Sequence, residues 1–255
     1  MQPERTATVR VAAVDWRDAY LRARRVEGHL LPDEIVAALP SVPRDHPLHD
    51  EWLLRADSSA RLLAYLSTKR GPLRIVDAGC GNGWLAHRIA GIEGASVVGV
   101  DVNEVELDQA RRVFGEHPTL RFLAHDFAAS PLPVEPLDIV VLASAVQYVA
   151  APGALIARLL AALQPGGEVH VIDTPVYDDG ALAAARLRTA RHYAQIGVPE
   201  MIGAYHHHAW SAFAALPMEV LHDRTGAVHR MAWRRLHRRH SPFPWLRFVN
   251  QERPR

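Results

Sequence analysis

The sequence predicts an α/β protein with a doubly wound, mostly parallel sheet of seven strands. Short apolar runs alternate regularly with segments of helical periodicity between residues 50 and 173. Several of these runs end in an acidic residue, and a glycine-rich segment separates the first run from the helix after it. This alternation is typical of a parallel sheet whose crossover helices cover both faces.

The predicted elements follow one another in a simple order. An amphipathic helix over residues 50–67 comes first, with Trp52, Leu53, Ala56, Ala60, Leu63 and Leu66 near its apolar face. Five parallel strands are predicted over residues 73–78, 95–100, 120–124, 137–143 and 168–172, and the intervening helices cover 84–92, 105–113 and 152–163. The motif LQPGG, residues 163–167, is predicted to stop a helix and form a tight turn. Residues 218–222 and 245–250 are expected to close the sheet as an antiparallel pair.

The chain divides into two predicted regions. Residues 1–49 contain several prolines and mixed charges, so we expect an N-terminal helical cap. Residues 50–255 form the α/β domain, and an insertion after the fifth strand, over about residues 174–215, is expected to be a lid on the substrate pocket. The lid prediction depends on an alanine- and arginine-rich helical pattern followed by the segment GAYHHHAW.

Composition restricts the class of protein. The chain has 255 residues, 49% of them hydrophobic, and a formal net charge of +1, which argues against a disordered or fibrous protein. The near-neutral charge disfavours nucleic acid as a partner, and no apolar stretch is long enough to predict a membrane span. The single cysteine, Cys80, cannot form an intrachain disulfide, so we expect a cytoplasmic protein.

The glycine-rich loop predicts a cofactor site. Glycines at positions 79, 81 and 83 let the backbone approach a ligand, and the following helix offers free N–H groups. The spacing is GxGxG rather than the GxGxxG typical of pyrophosphate binding, and Asp77 would repel a diphosphate. An acidic residue at this place suits the cationic amino-acid end of a sulfonium cofactor.

Two further strand ends carry acidic residues suited to a nucleoside. Asp101 follows the second strand about twenty residues after the loop, where a carboxylate can accept hydrogen bonds from ribose hydroxyls. Asp126 follows the third strand and can bind an adenine amino group, and the ring of Phe127 can pack on the base.

The motifs VDAGCGNGW, VGVDVN, AHDF, LDIVVLASAVQYV and LQPGGEVHVID occur in the order found in class I S-adenosylmethionine-dependent methyltransferases, and the chain resembles that family over residues 50–173. The resemblance implies a Rossmann-like fold, S-adenosylmethionine as cofactor and methyl transfer to a small molecule by in-line displacement. The cofactor residues that it implies are Asp77, Gly79, Gly81, Gly83, Asp101, Val102, Asp126, Phe127, Ser144 and Gln147.

Catalytic candidates lie in the insertion. A base is needed only if the acceptor carries a proton, and the candidates are Tyr205, His206, His207 and His208, because an imidazole titrates near neutral pH. Surface or packing histidines are an equally good interpretation. Adjacent histidines do not converge on one point, so we predict no metal site. Tyr148 and Tyr177 are predicted to orient the substrate through their hydroxyl groups.

Several alternative functions remain open at this point. The same cofactor pocket could transfer an aminocarboxypropyl group or cyclise the cofactor, and the basic stretch over residues 224–240 would suit an RNA methyltransferase. A dehydrogenase is disfavoured by the loop spacing and by Asp77. A protein that binds the cofactor without catalysis is the least favoured alternative. Oligomeric state and the identity of the acceptor are not predicted.

Overall fold

The computed structural model describes residues 16–223 and 240–251. Its strands are β1 Leu73–Ala78, β2 Ala95–Asp101, β3 Leu120–Ala124, β4 Leu137–Ala143, β5 Leu163–Ile172, β6 Val176–Tyr177, β7 His208–Ala209, β8 Met218–His222 and β9 Trp245–Val249. Its helices are α1 Trp16–Val26, α2 Asp33–Ala38, α3 His49–Leu66, α4 Trp84–Ala90, α5 Glu104–Phe114, α6 Pro152–Ala162, α7 Leu182–Gln195 and α8 Met201–Ala204.

Seven strands form one sheet in the order β3-β2-β1-β4-β5-β9-β8. Strands β1 to β5 pair in parallel, and β9 pairs antiparallel with both β5 and β8. The central strands β1 and β4 are buried over most of their length, as expected for strands covered by helices on both faces. The prediction of five parallel strands and a closing antiparallel pair is therefore confirmed.

Strand β5 begins earlier than its apolar pattern predicts. Leu163 already pairs with Leu137, so the residues predicted as a separate turn belong to the strand, with a register irregularity after Leu137. The turn prediction for residues 163–167 was incomplete because pairing with β4 extends the strand across the glycines. Gly167 is tightly packed, since an added Cβ would lie 2.8 Å from the Cβ of Leu163.

Two apolar layers cover the sheet. Side chains of α2, α3, α4 and α5 pack together on one face, and those of α6 pack on the other. The apolar face predicted for α3 was partly wrong, because Ala60 is exposed whereas Ser58 and Ser59 are buried. Ser58 turns inward because its hydroxyl group donates to the carboxylate of Asp173, a partner distant in sequence.

A third apolar cluster joins α1 to the insertion after β5. Ala19 and Ala23 of α1 pack against Tyr193 of α7, Val198 and Met201 of α8. This packing places α1, α7 and α8 together near the carboxyl ends of the parallel strands. Among residues 16–223 and 240–251, no helix combines the length and the apolar character that crossing a bilayer requires.

Candidate active site

The loop between β1 and α4 has a backbone that requires glycine. Gly79 has a φ of 81°, and a Cβ at this position would lie 2.7 Å from the Cβ of Ala145. The amides of Gly79 and Cys80 both donate to the carbonyl of Val100, which ties the loop to the end of β2. Gly81 also has a positive φ, of 51°. The loop therefore offers a bare backbone surface at the carboxyl edge of the sheet.

Gly83 has a different place from the other two glycines. It caps α4 with a φ of 78°, and an added Cβ would lie 2.6 Å from the ring of Phe122. Close packing between the loop and β3 accounts for this glycine, and it does not line the cavities described below.

Asp77 is a buried carboxylate with an unusual environment. Its side chain is 1% exposed, and neither carboxylate oxygen has a hydrogen-bond partner among the described residues. Burial raises the pKa of Asp77 to about 7, and the negative charge of Asp101 adds to this shift. The nearby backbone amide of Ala86 opposes the shift, although it does not form a hydrogen bond with either carboxylate oxygen. A buried acceptor without a donor is rare in folded proteins and marks a place for a ligand.

Asp101 anchors the loop and retains acceptor capacity. Its Oδ2 accepts from the Gly81 amide at 2.8 Å, and its Oδ1 accepts from the Asn103 amide at 2.9 Å. Burial raises the pKa of Asp101 to about 6, assisted by the charge of Glu106. A carboxylate can accept about four hydrogen bonds, so both oxygens can still bind a ligand.

The first of three neighbouring cavities is a narrow groove of about 80 Å³, which we call the inner groove. Residues that line the inner groove include Trp16, Tyr20, Gly79, Asp101, Val102, Asp126, Phe127, Ser144 and Tyr148. Asp126 accepts from the amides of Ala128 and Ala129 at 3.1 and 3.0 Å and pairs with Arg17 of α1 at 3.4 Å.

The second cavity, of about 220 Å³, follows the glycine loop and is called the loop cavity. Residues around the loop cavity include Arg24, His29, Glu51, Asp77, Gly79, Gly81, Trp84, Glu106, Ser144, Gln147 and Tyr205. Arg24 donates to Glu106 at 3.2 Å, and the side-chain amide Nδ2 of Asn103 donates to the same carboxylate at 2.9 Å. The loop cavity thus combines an unpartnered carboxylate with a partly buried guanidinium group.

The third and largest cavity, of about 680 Å³, is called the outer cavity. It is lined by Asp50, Glu51, Leu54, Arg55, Ser144, Gln147, Asp173, Pro175, Tyr205 and Phe243. Ser144 lines all three cavities, and Gln147 and Tyr205 line both the loop cavity and the outer cavity. A volume of this size accommodates a metabolite-sized ligand.

Two residues at the ends of β4 and β5 have strained backbones. Ser144 and Asp173 have φ angles of 55° and 52°, in the left-handed region that favours glycine. The Ser144 hydroxyl group donates to the Asp173 carbonyl at 3.1 Å, and the Ser144 amide donates to the carbonyl of Ile172 at 3.0 Å. Strain of this kind is concentrated at functional sites, and here it lies where the three cavities share a wall.

The structure separates the predicted catalytic candidates. Tyr205 lines the loop and outer cavities, but His206, His207 and His208 line a fourth cavity, of about 310 Å³, which also includes Tyr205. His207 shares a hydrogen bond with the Thr189 hydroxyl group at 2.9 Å, and the His208 Nε2 lies 3.1 Å from the Val146 carbonyl oxygen. Burial and the charge of Arg186 lower the pKa of all three histidines.

The two predicted orienting tyrosines are also separated. The ring of Tyr148 lies in the wall of the inner groove, stacked on Trp16 at 6.2 Å and edge-on to Tyr20 at 5.3 Å. Tyr177 lies on β6 outside the inner groove, the loop cavity and the outer cavity, with its ring 5.7 Å from that of His207.

Sequence reasoning missed the contribution of α1 to these cavities. Trp16, Tyr20 and Arg24 follow one another at intervals of four residues, which places them on one face of a helix. Tyr20 and Arg24 both reach the buried carboxylate of Glu106. The four-residue spacing is the signal that could have identified a functional face on α1.

A methyltransferase-domain family model matches residues 75–167, which include β1 to β4, the glycine loop and the start of β5. A sterol 24-C-methyltransferase of Gibberella zeae is 28% identical over 156 residues, which are 59% of this chain and 40% of that protein. A trans-aconitate 2-methyltransferase of Paracidovorax citrulli is 38% identical over 99 residues, which are 38% of this chain and 37% of that protein.

The fold agrees with these sequence matches. The solved S-adenosylmethionine-dependent methyltransferase from Mesorhizobium loti superposes with a TM-score of 0.54 at 22% identity, covering 78% of this chain and 96% of that one. Residues 75–167 therefore form a methyltransferase domain, and the chain has the fold of a class I S-adenosylmethionine-dependent methyltransferase. Its sheet is Rossmann-like, and the helices and strands follow one another along the chain in the order that the sequence predicts.

The methyltransferase-domain model matches 93 of the 255 residues of the chain. The chain spans about 40% of the first curated relative and about 37% of the second. The residues that line the outer cavity come mainly from α3, from the end of β5 and from Tyr205 and Phe243, outside residues 75–167. Most of the lining of the outer cavity therefore lies outside the residues that the methyltransferase-domain model matches.

Proposed function

We propose that this protein transfers a methyl group from S-adenosylmethionine to a small-molecule acceptor. The observation that carries the proposal is the common wall at Ser144. There the inner groove and the loop cavity, lined by the residues predicted for the cofactor, adjoin the larger outer cavity. A methyl donor on one side of this wall and an acceptor on the other would be in contact, as in-line displacement requires.

The residues of the loop cavity fit the amino-acid end of the cofactor. Asp77 has two buried oxygens without donors, which suits an ammonium group, and Arg24 supplies the cation for a carboxylate. The bare backbone at Gly79 and Gly81 leaves space that a Cβ would occupy.

The residues of the inner groove fit the nucleoside. The free acceptor capacity of Asp101 suits ribose hydroxyls, and the neighbouring Val102 lines the same groove. Asp126 and the ring of Phe127 supply an acceptor and an apolar face for adenine.

The bound sulfonium supplies an already activated methyl group, so the protein has mainly to align the acceptor and exclude water. We assign alignment to Ser144, Gln147 and Tyr205, which lie between the cofactor cavities and the outer cavity. The amide of Gln147 is itself fixed, because it donates to the Ser144 carbonyl at 2.7 Å. Tyr148 stacks on Trp16 of α1 and forms part of the wall of the inner groove.

The predicted lid and the histidine candidates are retained as part of the proposal. Helices α7 and α8 pack on α1, which supports a lid over the site made from the insertion after β5. Of the four candidate bases, Tyr205 is the one that lines the outer cavity, and the ring of His207 packs against it at 5.1 Å. Tyr177 would act on the substrate only through this histidine cluster.

A cytoplasmic location is supported by the single cysteine and is tested by cell fractionation.

Titration calorimetry with S-adenosylmethionine, S-adenosylhomocysteine and NAD tests the cofactor. We expect micromolar binding of the first two and none of NAD. Incubation with acceptor pools then tests the reaction, because methyl transfer leaves S-adenosylhomocysteine, whereas aminocarboxypropyl transfer leaves methylthioadenosine. Binding of NAD alone would contradict the assignment, and cofactor binding without turnover on any pool would favour a non-catalytic role.

A further inference from the structure

We infer that the acceptor is an amine with an apolar body, which Asp173 holds and deprotonates at the wall of the outer cavity. The inference rests on the proposed function and names the acceptor class for the same site. It is carried by the charges of the outer cavity, by the side chains around Asp173 and by the hydrogen bond between Asp173 and Ser144.

The described lining of the outer cavity carries an excess of negative charge. Three carboxylates, of Asp50, Glu51 and Asp173, face a single cation, Arg55. Arg55 is already used, because its Nε and Nη2 donate to the Oε1 of Glu51 at 2.9 and 2.7 Å. Asp50 and Asp173 therefore remain available to a cation, whereas an anionic acceptor would meet two like charges.

Asp173 is the buried member of this group, with 7% of its surface exposed. The Ser58 hydroxyl group donates to its Oδ2 at 2.9 Å, and the Ser241 hydroxyl group donates to its Oδ1 at 3.4 Å. A carboxylate has about four acceptor sites, so Asp173 can still receive an N–H group from a ligand.

The charged groups around Asp173 leave it able to take up a proton. Burial raises the pKa of Asp173, against the opposing charges of Arg55 and Arg61 and the two serine hydroxyl groups. Arg61 and His240 both bind Asp57, with the His240 Nδ1 at 2.9 Å from Asp57 Oδ1. These two groups therefore have a carboxylate partner of their own.

Asp173 also lies next to the cofactor side of the site. Its carbonyl accepts from the hydroxyl group of Ser144, the residue shared by all three cavities. Both residues directly follow the last paired residues of β4 and β5, Ala143 and Ile172, and both have positive φ angles. Leu54, Pro175 and Phe243 supply an apolar wall for the rest of the acceptor.

The step balances in atoms and charge. A protonated amine gives one proton to the Asp173 carboxylate, and the freed nitrogen lone pair forms a bond to the methyl carbon. The carbon–sulfur bond breaks, and its electron pair remains on sulfur. The products are a methylammonium group, neutral S-adenosylhomocysteine and protonated Asp173, which returns the proton to solvent.

Binding of a matched pair of probes tests the inference. Calorimetry of the full chain saturated with S-adenosylhomocysteine compares phenethylamine with 3-phenylpropionate, which share a phenyl body and differ in charge. We expect the amine to bind at least about tenfold more tightly. Asp173→Asn is expected to weaken amine binding by about tenfold and to leave S-adenosylhomocysteine binding unchanged. Asparagine has the same size and tolerates a positive φ.

Asp108→Asn is the matched control, since this aspartate lies on α5 with 64% of its side chain exposed. It should leave both probes unaffected. Equal or tighter binding of 3-phenylpropionate, absence of amine binding, or unchanged amine affinity in Asp173→Asn would overturn the inference. If the variant does not fold, the preference of the wild-type protein between the two probes decides. Failure to bind S-adenosylhomocysteine would instead overturn the proposed function.

Discussion

At the scale of single residues, two carboxylates at the glycine loop, of Asp77 and Asp101, form no ion pair with any cation among the described residues. Asp77 has no hydrogen-bond donor in the described structure, and Asp101 accepts only from backbone amides. Burial raises the pKa of Asp77 to about 7 and that of Asp101 to about 6. Both groups therefore carry a cost in the free protein that a cationic ligand would remove.

Asp77→Asn should separate stability from binding. The folded pKa of Asp77 lies above its unfolded value, so ionisation destabilises the free protein above about pH 7, and this cost disappears as the pH falls towards 4. At about pH 8 we expect the variant to melt roughly 2–4 °C higher, the shift that ~1 kcal/mol produces in a protein of this size. Calorimetry should show loss of S-adenosylmethionine binding. A variant that melts at the same temperature and binds normally would contradict both expectations.

Cofactor affinity should depend on pH through the same carboxylates. Protonation of Asp77 removes the partner of an ammonium group, so we expect affinity for S-adenosylhomocysteine to weaken by about tenfold between about pH 8 and about pH 6. Titration calorimetry over this range in two buffers measures both the affinity and the protons released. An affinity that is independent of pH would show that Asp77 does not contact the ligand.

Asp101→Ala tests the nucleoside end independently. Removal of hydrogen bonds to ribose should weaken cofactor binding by about 1.5–3 kcal/mol if the bonds are charge-assisted. The substitution also frees the Gly81 amide, so thermal unfolding of the free variant serves as the control for loop disruption. Unchanged affinity would rule out Asp101 as the ribose ligand.

At the scale of elements, α1 covers the cofactor side of the molecule. Trp16 stacks on Tyr148 at the inner groove, and Arg24 reaches Glu106 in the loop cavity. Ala19 and Ala23 of this helix pack against apolar side chains of the insertion after β5. A ligand in the inner groove would therefore be enclosed by α1 on one side and by the sheet on the other.

Trp16→Ala should accelerate cofactor dissociation. Loss of the stacking contact with Tyr148 removes about 0.5–1.5 kcal/mol of aromatic packing, which corresponds to a roughly 2- to 10-fold higher dissociation rate. Stopped-flow displacement of S-adenosylhomocysteine measures the rate. Val26→Ala, at an exposed position of the same helix, is the control and should leave the rate unchanged. Equal rates in all three proteins would show that α1 does not enclose the ligand.

At the scale of the whole molecule, one buried ionic network joins α3 to the antiparallel end of the sheet. The carboxylate of Glu168 on β5 accepts from the hydroxyl group of Tyr65 on α3 at 2.9 Å and from Lys69, just after α3, at 2.7 Å. His170 and Arg247 approach the same carboxylate at 3.1 and 3.3 Å. Burial alone would raise the pKa of Glu168, but these partners hold it at about 2.

Glu168→Gln should destabilise the fold without affecting the cofactor. Removal of the carboxylate leaves its buried donors without a charged acceptor, and we expect a loss of about 1–3 kcal/mol in the free energy of unfolding at neutral pH. The folded pKa lies below the unfolded value, so this stabilisation is present above about pH 4.5 and is lost as the pH falls towards about 2. Urea denaturation at several pH values measures the loss.

Glu219→Gln is the control for the network. Glu219 pairs with the same Arg247, but 54% of its side chain is exposed, so its removal should cost less than about 1 kcal/mol. A similar loss for both variants, or an acid sensitivity unchanged in Glu168→Gln, would show that the buried carboxylate is not the source of the stability.

The sheet and the acidic residues at its carboxyl edge were largely predictable from the sequence. The bounds of β1, β3 and β4 agree with those predicted, and β2 differs by one residue, because apolar runs and glycine turns are local patterns. The alignment of Asp77, Asp101 and Asp126 at one edge follows from the parallel order of the strands that precede them. Only β5, which pairs earlier than its apolar pattern indicates, departed from this description.

The composition of the outer cavity and of the loop cavity was decided by the tertiary structure alone. Ser58 meets Asp173 across 115 residues, and Arg24 meets Glu106 across 82 residues, so no local pattern connects either pair. The sequence placed the histidines of the insertion near catalysis, whereas the structure puts them in a separate cavity that shares only Tyr205 with the outer one. The sequence by itself determined the fold and the acidic residues at the carboxyl edge of the sheet, because strand and helix periodicity are short-range properties. Which polar side chains line the cavities depends on long-range packing of α1, α3 and the insertion, and only the folded chain brings them together.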